Sequence, residues 1–122
     1  MEIDKKTLVI GASENPVRYS YLAIQSLRKH GNNVVALAKR MGKVADVAIQ
    51  TEFPKTEAIH TVTLYVGAQR QPEYYEQLLS LNPSRVIFNP GTENTILIEL
   101  AEKKGIDVVV DCTLVMLRTG YF

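Results

Sequence analysis

The sequence holds a single cysteine, Cys112, so no intrachain disulfide can staple the fold. That suits a reducing compartment. Neither charge is in surplus: 14 Lys and Arg stand against 13 Asp and Glu. A general nucleic-acid binder would show a basic excess. No apolar run approaches the ~20 residues needed to span a bilayer. The opening residues, Met-Glu-Ile-Asp-Lys-Lys, are charged and lead into only a short apolar run, unlike a signal peptide. The chain is therefore expected to be soluble and cytoplasmic, with no nucleic-acid and no membrane partner. Histidine and cysteine show no metal-ligand spacing. The full three-glycine dinucleotide fingerprint is missing as well.

What is present is ordinary in amount and informative in order. The chain has 122 residues, 46% apolar and 22% charged. That is enough for one domain, residues 1–122, with a substantial core. Thr7 to Ile10 is an unbroken apolar run closed by Gly11, which reads as a strand buried on both faces. Tyr21, Leu22, Ile24 and Leu27 then follow helical spacing from Arg18 to His30, and Gly31 stops the helix. Val34 to Ala38 is a second strand. Met41 to Glu57 reads as a short helix or an irregular crossover. Thr61 to Val66 is a third strand, and Pro72 opens a helix reaching about Leu81. Arg85 to Phe88 is a fourth strand. A helix runs from Thr92 or Glu93 to Lys104, and Ile106 to Val110 is a fifth strand. The tail to Phe122 holds one short turn of helix.

Strands alternating with helices predict an α/β fold: a doubly wound, Rossmann-like parallel sheet of about five strands, with helices on both faces and right-handed crossovers. Ligands of such sheets bind beyond the carboxyl ends of the strands, where strand order reverses. Four segments become the places to look: Gly11–Ser20, Ala38–Met41, Val66–Arg70 and Asn89–Glu93.

The first segment carries the strongest signal. Gly11 and Ala12 let backbone approach a phosphate, and a helix N-terminus offers N–H groups to an anion. Ser13 and Ser20 add hydroxyls, Arg18 adds a charged fork, and Asn15 with Pro16 shapes the loop. The plain alternative is a strand-to-helix turn with no ligand. In the second segment an NAD site would need an acidic residue about 20 residues past the glycines. Here Lys39 and Arg40 stand instead, which suits a phosphate on the ribose, as in NADP or coenzyme A, or else a solvated pair. Gly67-Ala68-Gln69 and Asn89-Pro90-Gly91-Thr92, small and polar, would form the cleft walls, or else are ordinary loop turns. Catalytic groups are scarce. His30 falls at a helix C-terminus and His60 at the far edge of the sheet, and neither is a good general base. Asp111 and Cys112 lie at a strand end, where a small buried thiol is the simpler reading.

Taken together, Val9-Ile10-Gly11-Ala12-Ser13, Asn15-Pro16, Arg18-Tyr19-Ser20, Lys39, Val66, Asn89-Pro90-Gly91 and Val108-Val109-Val110-Asp111-Cys112 resemble the stand-alone coenzyme A-binding proteins. That family shares its fold with the coenzyme A-binding domain of the succinyl-CoA ligase alpha subunit. The resemblance spans nearly the whole chain. It implies that Gly11, Ala12 and Ser13 cradle the pyrophosphate, aided by Arg18 and Ser20. It implies further that Lys39 and Arg40 meet the 3′-phosphate and that Val66 and Gly67 flank the adenine or pantetheine. Leu37-Ala38-Lys39-Arg40 lacks the proline usual in the family, and Thr113 stands where members carry proline. The resemblance implies binding of coenzyme A or an acyl-CoA, and no reaction. Two other readings stand beside it: an NAD(P)-binding dehydrogenase-like domain, and an interaction protein that kept the fold without the ligand. Small doubly wound domains often dimerise, so a homo-oligomer is an expectation to test. The tail, Leu114–Leu117 with Tyr121 and Phe122, is a candidate contact for a partner or for its own domain.

Overall fold

The computed structural model describes residues 4–122. Alternating apolar strands build one mixed sheet, in which β1 (Thr7–Ile10) lies between β2 (Val34–Leu37) and β5 (Thr61–Leu64). Beyond β2 come β4 (Val47–Gln50) and then β3 (Gly42–Val44); beyond β5 come β6 (Arg85–Phe88) and β7 (Asp107–Val110). Only the β3–β4 pair is antiparallel. The sheet thus has seven strands where the sequence pattern predicts about five.

Both faces are covered, so the central strands are buried almost throughout and mostly apolar, with Thr7, Thr61 and Thr63 the buried polar residues among them. Successive residues point to opposite faces. Leu8 and Ile10 join Leu78 of α2 (Tyr75–Leu81) and Leu97 and Ala101 of α3 (Thr95–Lys103) in one core. Val9 and Ala36 join Ile24 and Leu27 of α1 (Tyr19–Lys29) and Leu117 of α4 (Thr113–Thr119) in the other. Each Leu or Ile so buried contributes roughly 1.5–3 kcal/mol.

Several elements differ from the sequence pattern, for identifiable physical reasons. Met41–Glu57 is neither helix nor irregular crossover at its start: β3 and β4 form a hairpin whose turn holds Ala45 at φ +54°. A left-handed alanine is unusual, and no Asn-Gly or Asp-Gly pair announces the turn. Arg28 fixes it from α1, its guanidinium donating to both carboxylate oxygens of Asp46 at 2.9 and 2.8 Å. Helix α3 starts at Thr95 because the Asn94 side chain caps it, accepting from the N–H groups of Ile96 and Leu97. The tail forms a full helix, α4, that packs against α1. Helix α2 is preceded by 3-10 turns at Ala68–Arg70 and Pro72–Tyr74.

Two buried polar networks tie the carboxyl ends of β5, β6 and β7 together. Asn89 donates to Thr63 Oγ1 (2.7 Å) and to the Leu64 carbonyl (2.8 Å), and its Oδ1 accepts from the Thr113 N–H (2.9 Å). Gln71, 1% exposed, donates to the carbonyls of Val66 and Thr92 and accepts from Asn94. A buried network holds its elements firmly only when every member is satisfied.

Substituting Asn89→Ala strands the Thr113 N–H and the Leu64 carbonyl in the interior. Urea unfolding is expected to show a loss of about 2–3 kcal/mol at unchanged m-value. A loss under about 0.5 kcal/mol would mean that the three strand ends are held by other contacts.

Candidate functional site

Strand order reverses between β1 and β5, since the chain builds outward from β1 through β2 to β4 and β3 and then returns to β1's other side. A cleft of about 710 Å³ opens at the carboxyl ends of these strands, within the range of small-molecule sites. It is lined by Gly11, Ala12, Ser13, Asn15, Arg18 and Ser20 from the β1–α1 loop and by Lys39 and Arg40 after β2. Val66, Gly67 and Gly91 complete the set that the sequence points to. Asn89 is the exception: its side chain turns into the buried network and holds the wall from behind.

Gly11 makes the cleft by letting the ends of β1 and β5 close on one another. Its φ is +94°, and a Cβ there would stand 3.0 Å from both the carbonyl carbon and the oxygen of Tyr65. The N–H groups of Gly11 and Ala12 both donate to the Leu37 carbonyl, at 2.9 and 3.1 Å. These two residues therefore supply close approach, while their amides bind β2.

The amides open to a ligand lie further on. Ser13 and Glu14 N–H groups find no acceptor among the described residues, nor do those of Tyr19, Ser20 and Tyr21 in the first turn of α1. The residue before that turn is Arg18, whose side chain makes no cap. An uncapped helix start leaves its N–H groups and its partial positive charge facing outward. Ser13 Oγ accepts from the Asn15 N–H, and Asn15 Oδ1 from the Val17 N–H, so the loop shapes itself.

The charges at the mouth are mostly positive. Arg18, Lys39, Arg40 and Arg70 line it, against the one acid Glu14. Glu14 is already engaged: its carboxylate accepts from the Lys43 N–H at 2.9 Å and lies over Gly42, where a Cβ would meet it at 2.5 Å. It thereby tethers the Ala38–Met41 segment, which carries Lys39 and Arg40, to the β1–α1 loop. Lys39 reaches across the cleft to Glu73, Nζ to Oε2 at 2.7 Å, with its ammonium 5.7 Å from the centre of the Tyr74 ring. The hydrogen bond to Glu73 raises the Lys39 pKa, and the same bond lowers that of Glu73. Burial pushes up the phenol of Tyr65, whose hydroxyl is enclosed beside Thr113 and Thr63 with no well-formed hydrogen bond.

Arg70, Tyr74, Glu14, Tyr65 and Ile49 are lining residues that sequence reasoning does not single out. Arg70 falls within the Val66–Arg70 window and Glu14 within Gly11–Ser20, so these two have a legible signal. Tyr65 directly follows β5, Ile49 comes from the hairpin and Tyr74 from the 3-10 turns.

His30, His60 and Cys112 all lie outside the cleft lining, and Cys112 is half-buried rather than the buried thiol that its place in the sequence suggests. His30 ends α1, its Nδ1 2.8 Å from the Ser26 carbonyl. His60 precedes β5, and burial followed by the charges of Arg85 and Lys5 lowers its pKa. Cys112 sits at the start of α4, its N–H donating to Asp111, and neither lines the cleft. Phe122 packs on its own domain, under Arg85 and Lys5. Among the described residues no His, Cys, Asp and Glu side chains group as a metal site, and no helix is long and apolar enough to cross a membrane.

A family model described as a CoA binding domain matches residues 5–118. Among solved structures, the crystal structure of an uncharacterised protein is 45% identical, with 99% of this chain and 100% of that one covered and a TM-score of 0.95. A protein from Thermus thermophilus is 20% identical, covering 98% and 91%, at a TM-score of 0.87. A hypothetical protein from Pyrococcus horikoshii OT3 is 23% identical, covering 97% and 84%, at 0.85. These last two show the shared fold. No curated protein matches the sequence.

Gly11 and Gly31 separate close approach from backbone strain, because Gly31 also has positive φ (+82°) but open space around its Cβ position. Gly31→Ala is expected to cost about 1–2 kcal/mol from the left-handed backbone alone. Gly11→Ala should cost at least about 1 kcal/mol more, read from thermal or urea unfolding of both variants. Equal losses would contradict the β1–β5 contact as the reason for glycine.

Proposed function

The chain belongs to the CoA binding domain family, and from that premise we propose that it is a binding module for coenzyme A or an acyl-CoA, without a reaction of its own. One observation carries this reading: an uncapped helix N-terminus and four cationic side chains converge on a single small-walled cleft at the strand-order switch point. A polyanionic nucleotide with an extended arm has the matching chemistry.

In this reading the pyrophosphate lies against the Ser13 and Glu14 amides and the first turn of α1, with Arg18 and Ser20 beside it. Gly11 and Ala12 keep the floor low. Lys39 and Arg40 receive the 3′-phosphate. The pantetheine runs past Val66, Gly67 and Gly91 along a wall that the Gln71 and Asn89 networks hold in shape. The absence of an acid after β2 disfavours the NAD reading, since the ribose hydroxyls would meet cations. A cytoplasmic protein that binds a small-molecule ligand and can pair with a second copy completes the proposal.

Titration with coenzyme A is expected to raise the melting temperature, ligand at ~100 times Kd adding about 2.7 kcal/mol. Dephospho-coenzyme A should bind more weakly, and Lys39→Ala with Arg40→Ala should erase the difference between the two ligands. A shift with NAD or NADP alone would favour the dehydrogenase-like reading. No shift with any of them would leave the ligand-free interaction protein as the better account.

A further inference from the structure

We propose that Glu73 is a specificity-determining residue of the cleft: its carboxylate occupies the Lys39 ammonium until a phosphate on the ligand replaces it. The inference rests on the coenzyme A reading given above.

Lys39 follows β2, and Glu73 lies in the turn Pro72–Tyr74 that follows β5. These elements stand on opposite sides of the strand-order switch point. The 2.7 Å pair therefore spans the cleft. Tyr74, a lining residue, carries the Lys39 ammonium over its ring. Arg70, two residues before Pro72, adds a second positive charge that acts on the same Glu73 carboxylate. Glu73 thus pairs with Lys39, in the field of a second cation, at the place where a ligand anion would arrive.

Both partners are exposed, 60% for the Lys39 side chain and 45% for Glu73. An exposed pair is weak and exchanges readily. A phosphate monoester brings more charge and three acceptor oxygens, so it can take the ammonium from a single carboxylate. Glu73 must then swing into water, because two anions at one ammonium repel. A ligand without that phosphate offers nothing in exchange and leaves the pair closed. Selection between phosphorylated and unphosphorylated ligands is accordingly made in this exchange, and Glu73 sets its threshold.

Titration calorimetry of the full chain with coenzyme A and with dephospho-coenzyme A tests this. The proteins compared are the unaltered chain, Glu73→Gln, Glu76→Gln and the double variant Lys39→Ala/Glu73→Gln. Glu76 lies on the exposed side of α2 and gives the same charge change without the ion pair. Glu73→Gln is expected to tighten coenzyme A by about two- to fivefold, the scale of an exposed pair, while dephospho-coenzyme A stays within about twofold. Glu76→Gln should change neither, and the double variant should lose the gain. No gain in Glu73→Gln, or an equal gain for both ligands, overturns the exchange. If the unaltered chain binds neither ligand, the coenzyme A reading itself fails and the exchange falls with it.

Discussion

The approach of β1 to β5 is the constraint on which the rest depends. The order of strands reverses there, and the two parallel strand ends must come close enough for a low floor yet leave room above it. A side chain at position 11 would meet the Tyr65 backbone, so the turn out of β1 has to pass through glycine at positive φ. From that turn α1 departs with its first amides uncapped and facing the reversal. The anion-binding character of the cleft follows from where the chain must bend.

The cleft has one stiff wall and one adjustable one. On the β5–β6–β7 side, Asn89 and Gln71 satisfy buried carbonyls and amides and leave few alternatives to the observed arrangement. On the β2 side, the contacts are exposed and ionic or single hydrogen bonds: Lys39 to Glu73, and Glu14 to the Lys43 amide. Buried polar groups are costly to unpair, whereas exposed ion pairs are not. A long ligand can then be received against a fixed surface while the charged side adapts to it.

Much of this was legible in the sequence, and the limits have physical causes. Short runs rich in Val, Ile, Leu and Thr and closed by turn residues mark strands, so β1, β2, β5, β6 and the partly exposed edge strand β7 announce themselves, and with them the fold class and the strand ends that form the cleft. The β3–β4 hairpin does not, because its turn relies on a left-handed Ala45 and a long-range anchor from Arg28 to Asp46. Residue type identified Gly11, Ser13, Arg18 and Lys39 as cleft residues. It could not separate Asn89, which supports the wall, from Gly91, which lines it, since both follow one strand. Nor could it show that the Gly11 and Ala12 amides are spent on Leu37. Glu73 and Tyr74 reach the site only through tertiary placement, and single-sequence patterns carry no trace of that.

The central claim is that an anionic nucleotide binds at the carboxyl edge of the sheet, over the start of α1. An amide-resolved NMR titration with coenzyme A tests it most directly. The account predicts that the largest shifts fall on Ser13, Glu14, Tyr19, Ser20 and Lys39, with Gly67 and Gly91 following. Shifts centred instead on the opposite edge, around His60 and Arg85, or no saturable shifts at all, would contradict it.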